Sequence, residues 1–358
     1  MGDCDEARPA QYRRDATSEV LWRTTDELVD RAPGPRDLRA HGLQLLAGAR
    51  LRALGRPVPE EILVAEWRAA LATLAVPTLL QRARAAYDGQ LMVMKGPEVA
   101  LRYPDPVLRA YRDIDLLADD AEAAERALLA AGFQAMGTAE VDDVGYHVCP
   151  LVWPGLPLCI ELHRRPHWVE GLKPPPPREL FDAAEPSRLG VAGILAPAPH
   201  HHALLLAGHA WVHEPLRRLV ELIDVAALTD ETDREAVRTL ARRWGCERVW
   251  HSTELAVDSL LYGAAPPLAL RTWARHLHGA RERTVLENRV QRLAGPAWGL
   301  PMRQVPRAVL RAGARHVRRH NGERWRTKLV RTSTLVRDVA RPISEHARLE
   351  PTTREGTG

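Results

Sequence analysis

Lysine is nearly missing from this 358-residue chain: of 50 basic residues only Lys95, Lys173 and Lys328 are lysines, and the rest are arginines. Such a bias reflects coding composition more than function, but it makes Lys95 conspicuous. Cysteine is also scarce. Cys4, Cys149, Cys159 and Cys246 show neither a CxxC spacing nor the density of a disulfide scaffold, so they read as reduced thiols. No stretch approaches the run of about 18 to 20 apolar residues that spans a bilayer, so no membrane span is expected. The acidic start, Met1-Gly2-Asp3-Cys4-Asp5-Glu6, has no apolar h-region. The cytoplasm is the expected compartment. Aromatics are few, at 5%, against 45% hydrophobic residues overall, a balance that fits a folded chain of two or three packed units.

Charge is uneven. Residues 303–358 carry 14 Lys+Arg against 5 Asp+Glu, a net of +9, which leaves the first 302 residues at −5. Arg303, Arg307, Arg311 and Arg315 recur every four residues, with Arg318 and Arg319 continuing the stripe. Such a face could grip RNA, an acidic peptide or anionic lipid, but aromatic interleaving is almost absent. Nucleic acid is not the expected partner.

The pattern divides the chain into four. Residues 1–87 read as a helical region, with a helix from Pro59-Glu60-Glu61 towards Leu80 in which Pro77 marks a kink or stop. Residues 88–172 read as a small mixed-sheet α/β core, within an α+β chain. Residues 173–300 read as a second helical region, opened by the stiff run Lys173-Pro174-Pro175-Pro176-Pro177. Residues 301–358 form the basic tail, partly helical, with a disordered end.

The core carries the chemistry. Leu91-Met92-Val93-Met94 is a short apolar strand that stops at the glycine turn Lys95-Gly96, and Pro97 suits the first position of a helix through Tyr103. In Arg112-Asp113-Ile114-Asp115-Leu116-Leu117 the aspartates alternate with aliphatics, which puts both on one face of a strand. Asp119 and Glu122 form a capping-box pattern for a helix closed by Gly132. About 45 residues after the aspartates, Cys159-Ile160-Glu161-Leu162-His163 repeats the alternation and puts Glu161 and His163 on one face. Three carboxylates on rigid neighbouring strands are what a divalent cation in phosphoryl chemistry requires. Asp113, Asp115 and Glu161 are therefore the candidate metal ligands and catalytic groups, with Glu161 holding the ion or acting as general base. Lys95, Gly96, Arg109 and Arg112 are the candidate phosphate contacts, and His163 and His209 are candidate substrate contacts. The same alternation also fits an exposed edge strand with ordinary surface carboxylates. His202, His209 and His213 share a helical face, which fits a zinc site or packing against the sheet.

The segment from Met92 to Phe133, with its Lys-Gly turn, its Asp-Ile-Asp-Leu-Leu and its helix ending in Gly-Phe, followed by Cys159-Ile160-Glu161-Leu162-His163-Arg164-Arg165-Pro166-His167-Trp168, resembles the uncharacterised nucleotidyltransferase family of the DNA polymerase β-like superfamily. The stretch from His201 to Leu228, with paired histidines, Arg-Leu and an Asp, is similar to that family's helical segment. The likeness covers roughly residues 60 to 260. It implies a polymerase-β-like nucleotidyltransferase core and Asp113, Asp115 and Glu161 as ligands of Mg2+ or Mn2+. It also implies an NTP, with ATP expected, held at Lys95 and Gly96, and a small-molecule or peptide acceptor. Members occur in bacterial biosynthetic clusters, including those for lasso peptides. One departure stands out: the wider superfamily has Gly-Ser or Gly-Gly at the turn, where this chain has Gly96-Pro97, 16 residues ahead of Asp113. Glycosyl transfer from a nucleotide sugar, or a catalytically weak peptide- or RNA-binding role, remain the competing readings.

Overall fold

The structure, a computed structural model, describes residues 10–136, 146–230, 232–317 and 339–344. Four helices come first: α1 (Ala10–Arg31), α2 (Pro35–His41), α3 (Gln44–Ala53) and α4 (Glu60–Ala86). Then follow β1 (Leu91–Val93), the single turn α5 (Pro97–Ala100), β2 (Asp113–Ala118), α6 (Ala121–Ala130), β3 (Gln134–Ala135), β4 (Leu151–Val152) and β5 (Cys159–His163). Beyond the proline run come α7 (Pro177–Asp182), β6 (Glu185–Pro186) and β7 (Ile194–Ala196). The rest is helical: α8 (Pro199–His213), α9 (Leu219–Thr229), α10 (Arg234–Arg243), α11 (Glu247–Leu261), α12 (Leu268–Thr272), α13 (Val285–Trp298) and α14 (Val305–Val317).

All seven strands join one mixed sheet in the order β3-β4-β5-β2-β1-β7-β6. β2 runs parallel to β5 and antiparallel to β1, and β1 runs parallel to β7. The α+β class and the mixed sheet with helices on both sides are as expected. The sheet nevertheless reaches past residue 172, because β6 and β7 lie beyond the proline run and complete one edge.

Alternation along the strands sorts side chains into two cores. Leu91, Val93, Ile114, Leu116, Ile160 and Leu162 face one way, against Ala72, Val76, Leu79, Leu80 and Ala83 of α4 and Ala121, Ala124 and Leu128 of α6. Met92 and Leu117 face the other way, into a larger cluster with Leu21 and Leu28 of α1, Leu204 of α8 and Leu222 of α9. Each fully buried leucine here contributes about 1.5–3 kcal/mol of burial. Asp113 and Asp115 share the face of Leu117, so the carboxylates lie between the sheet and the helices that follow it.

Several local expectations are corrected. Pro77 neither stops nor ends its helix, since α4 runs through it to Ala86. A proline inside a helix costs about 3 kcal/mol, but the buried face of α4 continues on both sides of it, from Ala72 to Ala83, and that packing outweighs the loss. The cap of α6 is Asp120, not Asp119; its side chain accepts a hydrogen bond from Ala123 N. The helix after Gly96 is one turn, not a run to Tyr103. Finally, α4 is long and apolar enough to cross a membrane by length and composition alone. In this fold it covers the sheet. Arg303, Arg307 and Arg311 are exposed; the side chain of Arg315, the residues Arg318 and Arg319 and the chain end lie outside the described set.

Candidate active site

Parallel pairing of β2 with β5 sets Asp115 opposite Glu161, Asp113 opposite Cys159 and Leu117 opposite His163. Opposed residues on adjacent strands project to the same side, so both aspartates, Glu161 and His163 share one face. The three sequence-predicted carboxylates therefore lie on the same face of the sheet. Asp115 is at the centre, 1% exposed. Its Oδ1 accepts from His163 Nε2 at 3.0 Å and lies 3.2 Å from the Lys95 ammonium. Burial alone would raise the Asp115 carboxyl, but the His163 hydrogen bond and the Lys95 charge together hold it below the ordinary carboxylate range. Asp113 and Glu161 go the other way. Burial and then repulsion from Asp115 raise Asp113, while burial and then repulsion from Asp113 and Asp115 raise Glu161. Negative charge at this spot thus exceeds what Lys95 compensates.

A divalent cation fits that excess. Among the described residues, one group brings ligand atoms together in the manner of a metal site: Asp115, Glu161 and His163 offer one atom each within 4.8 Å of one another. Asp115 Oδ2 is buried and has no hydrogen-bond partner, the state of an acceptor facing an ion. Asp113, the other expected ligand, is not in that group, and His163 is. His163 was read only as a substrate contact. A diagonal contact, one strand pair along from Asp115, gives it this position, and alternation alone does not reveal it. A nitrogen in the set moves metal preference from magnesium towards manganese and the later transition metals.

Lys95 leaves the end of β1 at Met94, and its Nζ donates to His209 Nε2 of α8 at 2.9 Å. That bond ties the turn to the helix whose His202 Nε2 donates to the Met94 carbonyl at 2.7 Å. His202 is spent on the backbone, and the side chain of His213 lies outside the described set. His209, His167, His163 and His147 form a chain of ring contacts with centroids 5.5–6.0 Å apart. Sequence reasoning missed His147 and His167; the spacing of His163 and His167 around Pro166 was the available signal. Cys159, opposite Asp113, is pushed up to about 11 by burial and then by Asp113 and Glu161, which keeps it a thiol.

The expected phosphate contacts are dispersed. Arg112 is exposed beside the site. Arg109 instead grips Asp224 of α9 with two hydrogen bonds, 2.7 and 3.2 Å, and Tyr103 Oη donates to the same carboxylate at 2.8 Å. The Gly96 turn leads into only four helical residues, so little dipole is available there. Within them Glu98 is fully buried, bonded to Arg102 and Ser187. Gly96 itself is required by geometry: at φ 63°, ψ −116° an added Cβ would lie 3.3 Å from the Asp113 carbonyl oxygen. Gly96→Ala is expected to cost about 1–3 kcal/mol, read by urea denaturation, because the obstacle is the backbone of β2.

The mixed sheet thus sets an Asp-x-Asp strand beside a parallel glutamate strand, next to a Lys-Gly turn. Residues 36–261 match the model of a family described as uncharacterised nucleotidyltransferase, and the chain belongs to that family. It is a nucleotidyltransferase by membership. No curated protein matches the chain.

Proposed function

We propose that this chain transfers a nucleotidyl group from an NTP, with ATP as the donor, to a hydroxyl or phosphate oxygen of a small-molecule or peptide acceptor. The setting is cytoplasmic secondary metabolism, in which family members accompany peptide-tailoring enzymes. The observation that carries the reading is the buried, unpartnered Oδ2 of Asp115 beside Glu161 and Asp113, in a chain of this family. Asp115, Glu161 and His163, with Asp113 beside them, would hold the divalent ion. Bound there, such an ion neutralises phosphate charge and makes the attacking oxygen easier to deprotonate.

The chain's own groups do the rest. Lys95, held by His209, presents a positive charge to the phosphates at the end of β1. Glu161 sits on the less buried side of the site, where it can orient the acceptor and take its proton. The acceptor oxygen then bonds to the α-phosphorus in line, the bond to the β-phosphate oxygen breaks, and pyrophosphate leaves. Arg109, buried against Asp224, acts as a brace for the loop that enters β2 and not as a phosphate contact.

The test uses NTPs labelled at the α-phosphorus, with small-molecule and peptide fractions of cell extract as acceptors. Label on an acceptor with release of pyrophosphate is expected, faster with Mn2+ than with Mg2+ because of His163. Hexose transfer from a nucleotide sugar, with no α-phosphorus label transferred, would overturn it.

A further inference from the structure

Negative charge vanishes from one long stretch of the chain. From Asn288 to Gly322 there are eight arginines and no aspartate or glutamate. The stretch holds most of α13, the turn after it and α14, and it leaves apolar side chains in the open as well. Met302 is 72% and Leu310 73% exposed, and Val309 is exposed with them. At about 100° per residue, Arg311 stands about 40° to one side of Arg307, and Leu310, Pro306 and Val309 follow at about 60° to 160° on the other. Ala308 and Val305, across the helix from these, are half-buried. Arginine and aliphatic residues therefore share one open face of α14. The helix packs on α13, and the turn between them is pinned at Leu300, which is buried and whose carbonyl accepts from Arg248 Nη1 at 2.8 Å. Exposed arginines elsewhere are spent inside the chain: Arg39 on Glu61, Arg52 on Glu66, Arg164 on Glu122 and Arg242 on Glu235. Arg303, Arg307 and Arg311 have no ion pair among the described residues.

We propose that this face of α14 docks on an anionic lipid bilayer, with Met302, Val309 and Leu310 in the boundary of the acyl chains and Arg303, Arg307 and Arg311 on the headgroup phosphates. The two halves of the face choose the occupant together. A helix that rests in a bilayer interface sets an apolar side beside basic residues, and it binds by apolar burial plus attraction to acidic headgroups. A nucleic acid would engage the arginines and leave Met302 and Leu310 in water. Single-strand sites also offer aromatic rings on which bases stack, and no Phe, Tyr or Trp lies between Gly299 and Arg311. An acidic peptide would need a groove for its own side chains, whereas about 200° of the α14 circumference is open, a convex shape that suits a plane. The helix lies on the bilayer and does not cross it: its 13 residues reach about 20 Å, short of a hydrocarbon core of about 30 Å. This surface stands independently of the reaction assigned to the carboxylates.

Co-sedimentation of the full chain with vesicles tests the proposal. The chain is expected to pellet with phosphatidylcholine vesicles that hold about 30% phosphatidylglycerol and to stay in solution with phosphatidylcholine alone. The bound fraction should fall as salt rises from about 0.1 to 0.5 M. Met302→Glu with Leu310→Glu should raise Kd for the anionic vesicles at least about tenfold with every arginine in place. Arg303→Glu, Arg307→Glu and Arg311→Glu together should do the same with the aliphatic residues in place, whereas Arg303→Lys, Arg307→Lys and Arg311→Lys together should bind as wild type, since a bilayer reads charge. All these side chains are exposed, so circular dichroism and Tm should not change. A wild type that stays in solution with the anionic vesicles overturns the proposal. So does binding that survives either set of glutamate substitutions, which places the anchor elsewhere on the chain. A preference for mixed single-stranded RNA over vesicles, lost with the arginines and kept without Met302 and Leu310, overturns it in favour of a nucleic-acid face.

Discussion

Asp113→Asn and Asp115→Asn should each lower nucleotidyl transfer by at least about 10³-fold, near 4 kcal/mol of transition-state stabilisation. In metal-free protein they should move stability in opposite directions. Asp115 ionises more readily in the folded chain than an ordinary aspartate, because His163 and Lys95 offset its burial. Its charge therefore supports the fold above the ordinary carboxylate range, and that support is lost as pH falls through its depressed folded value. Removing the charge leaves the Lys95 ammonium without its carboxylate partner at 3.2 Å, so Asp115→Asn should lower Tm. Asp113 is the reverse: burial and Asp115 raise it, so its charge costs stability as pH rises through its folded value. Asp113→Asn should leave Tm unchanged or higher while activity disappears. Thermal melts in chelator at neutral pH, beside the pyrophosphate assay, read both effects. A structural edge strand with surface carboxylates would show neither the activity loss nor the split in Tm.

The second large effect lies away from the carboxylates. Asp224→Ala should destabilise the fold by about 3–5 kcal/mol, because it strands a buried guanidinium and removes the acceptor of a buried phenol. The Arg109 side chain is 12% exposed and that of Asp224 4%, so neither group regains full hydration when its partner is lost. Tyr103→Phe removes one hydrogen bond and should cost about 1 kcal/mol. Since Arg109 stands four residues before Asp113, loosening the pair should also slow catalysis at temperatures where the variant is still folded. Urea denaturation gives the first quantity, and rates at about 15 °C give the second.

How much of this was legible from sequence depends on the range of the contact. The aspartates and Glu161 were legible because each alternates with aliphatic neighbours, and a two-residue period fixes which face a side chain takes. That β2 and β5 lie side by side, with Asp115 facing Glu161, depends on pairing across 46 positions, and no local pattern encodes it. Arg109 was read as a phosphate contact because it precedes the aspartates; its real partner is 115 residues away on α9. His163 entered the metal-competent group through a diagonal contact, which alternation does not express. β6 and β7 span two and three residues, too few to show periodicity, so the sheet seemed to end before the proline run. Pro77 read as a stop because local cost was weighed without the core on both sides of it. The apolar length of α4 was missed because Glu66 and Arg68 interrupt it in sequence, although the helix carries its apolar sides past them.

Anomalous diffraction from crystals soaked in Mn2+ and a non-hydrolysable NTP tests the central assignment most directly. The expected result is an anomalous peak in contact with the carboxylates of Asp115 and Glu161, with the nucleotide phosphates towards Lys95. A nucleotide bound elsewhere on the chain, or phosphates beside Lys95 with no peak at those carboxylates, would contradict it.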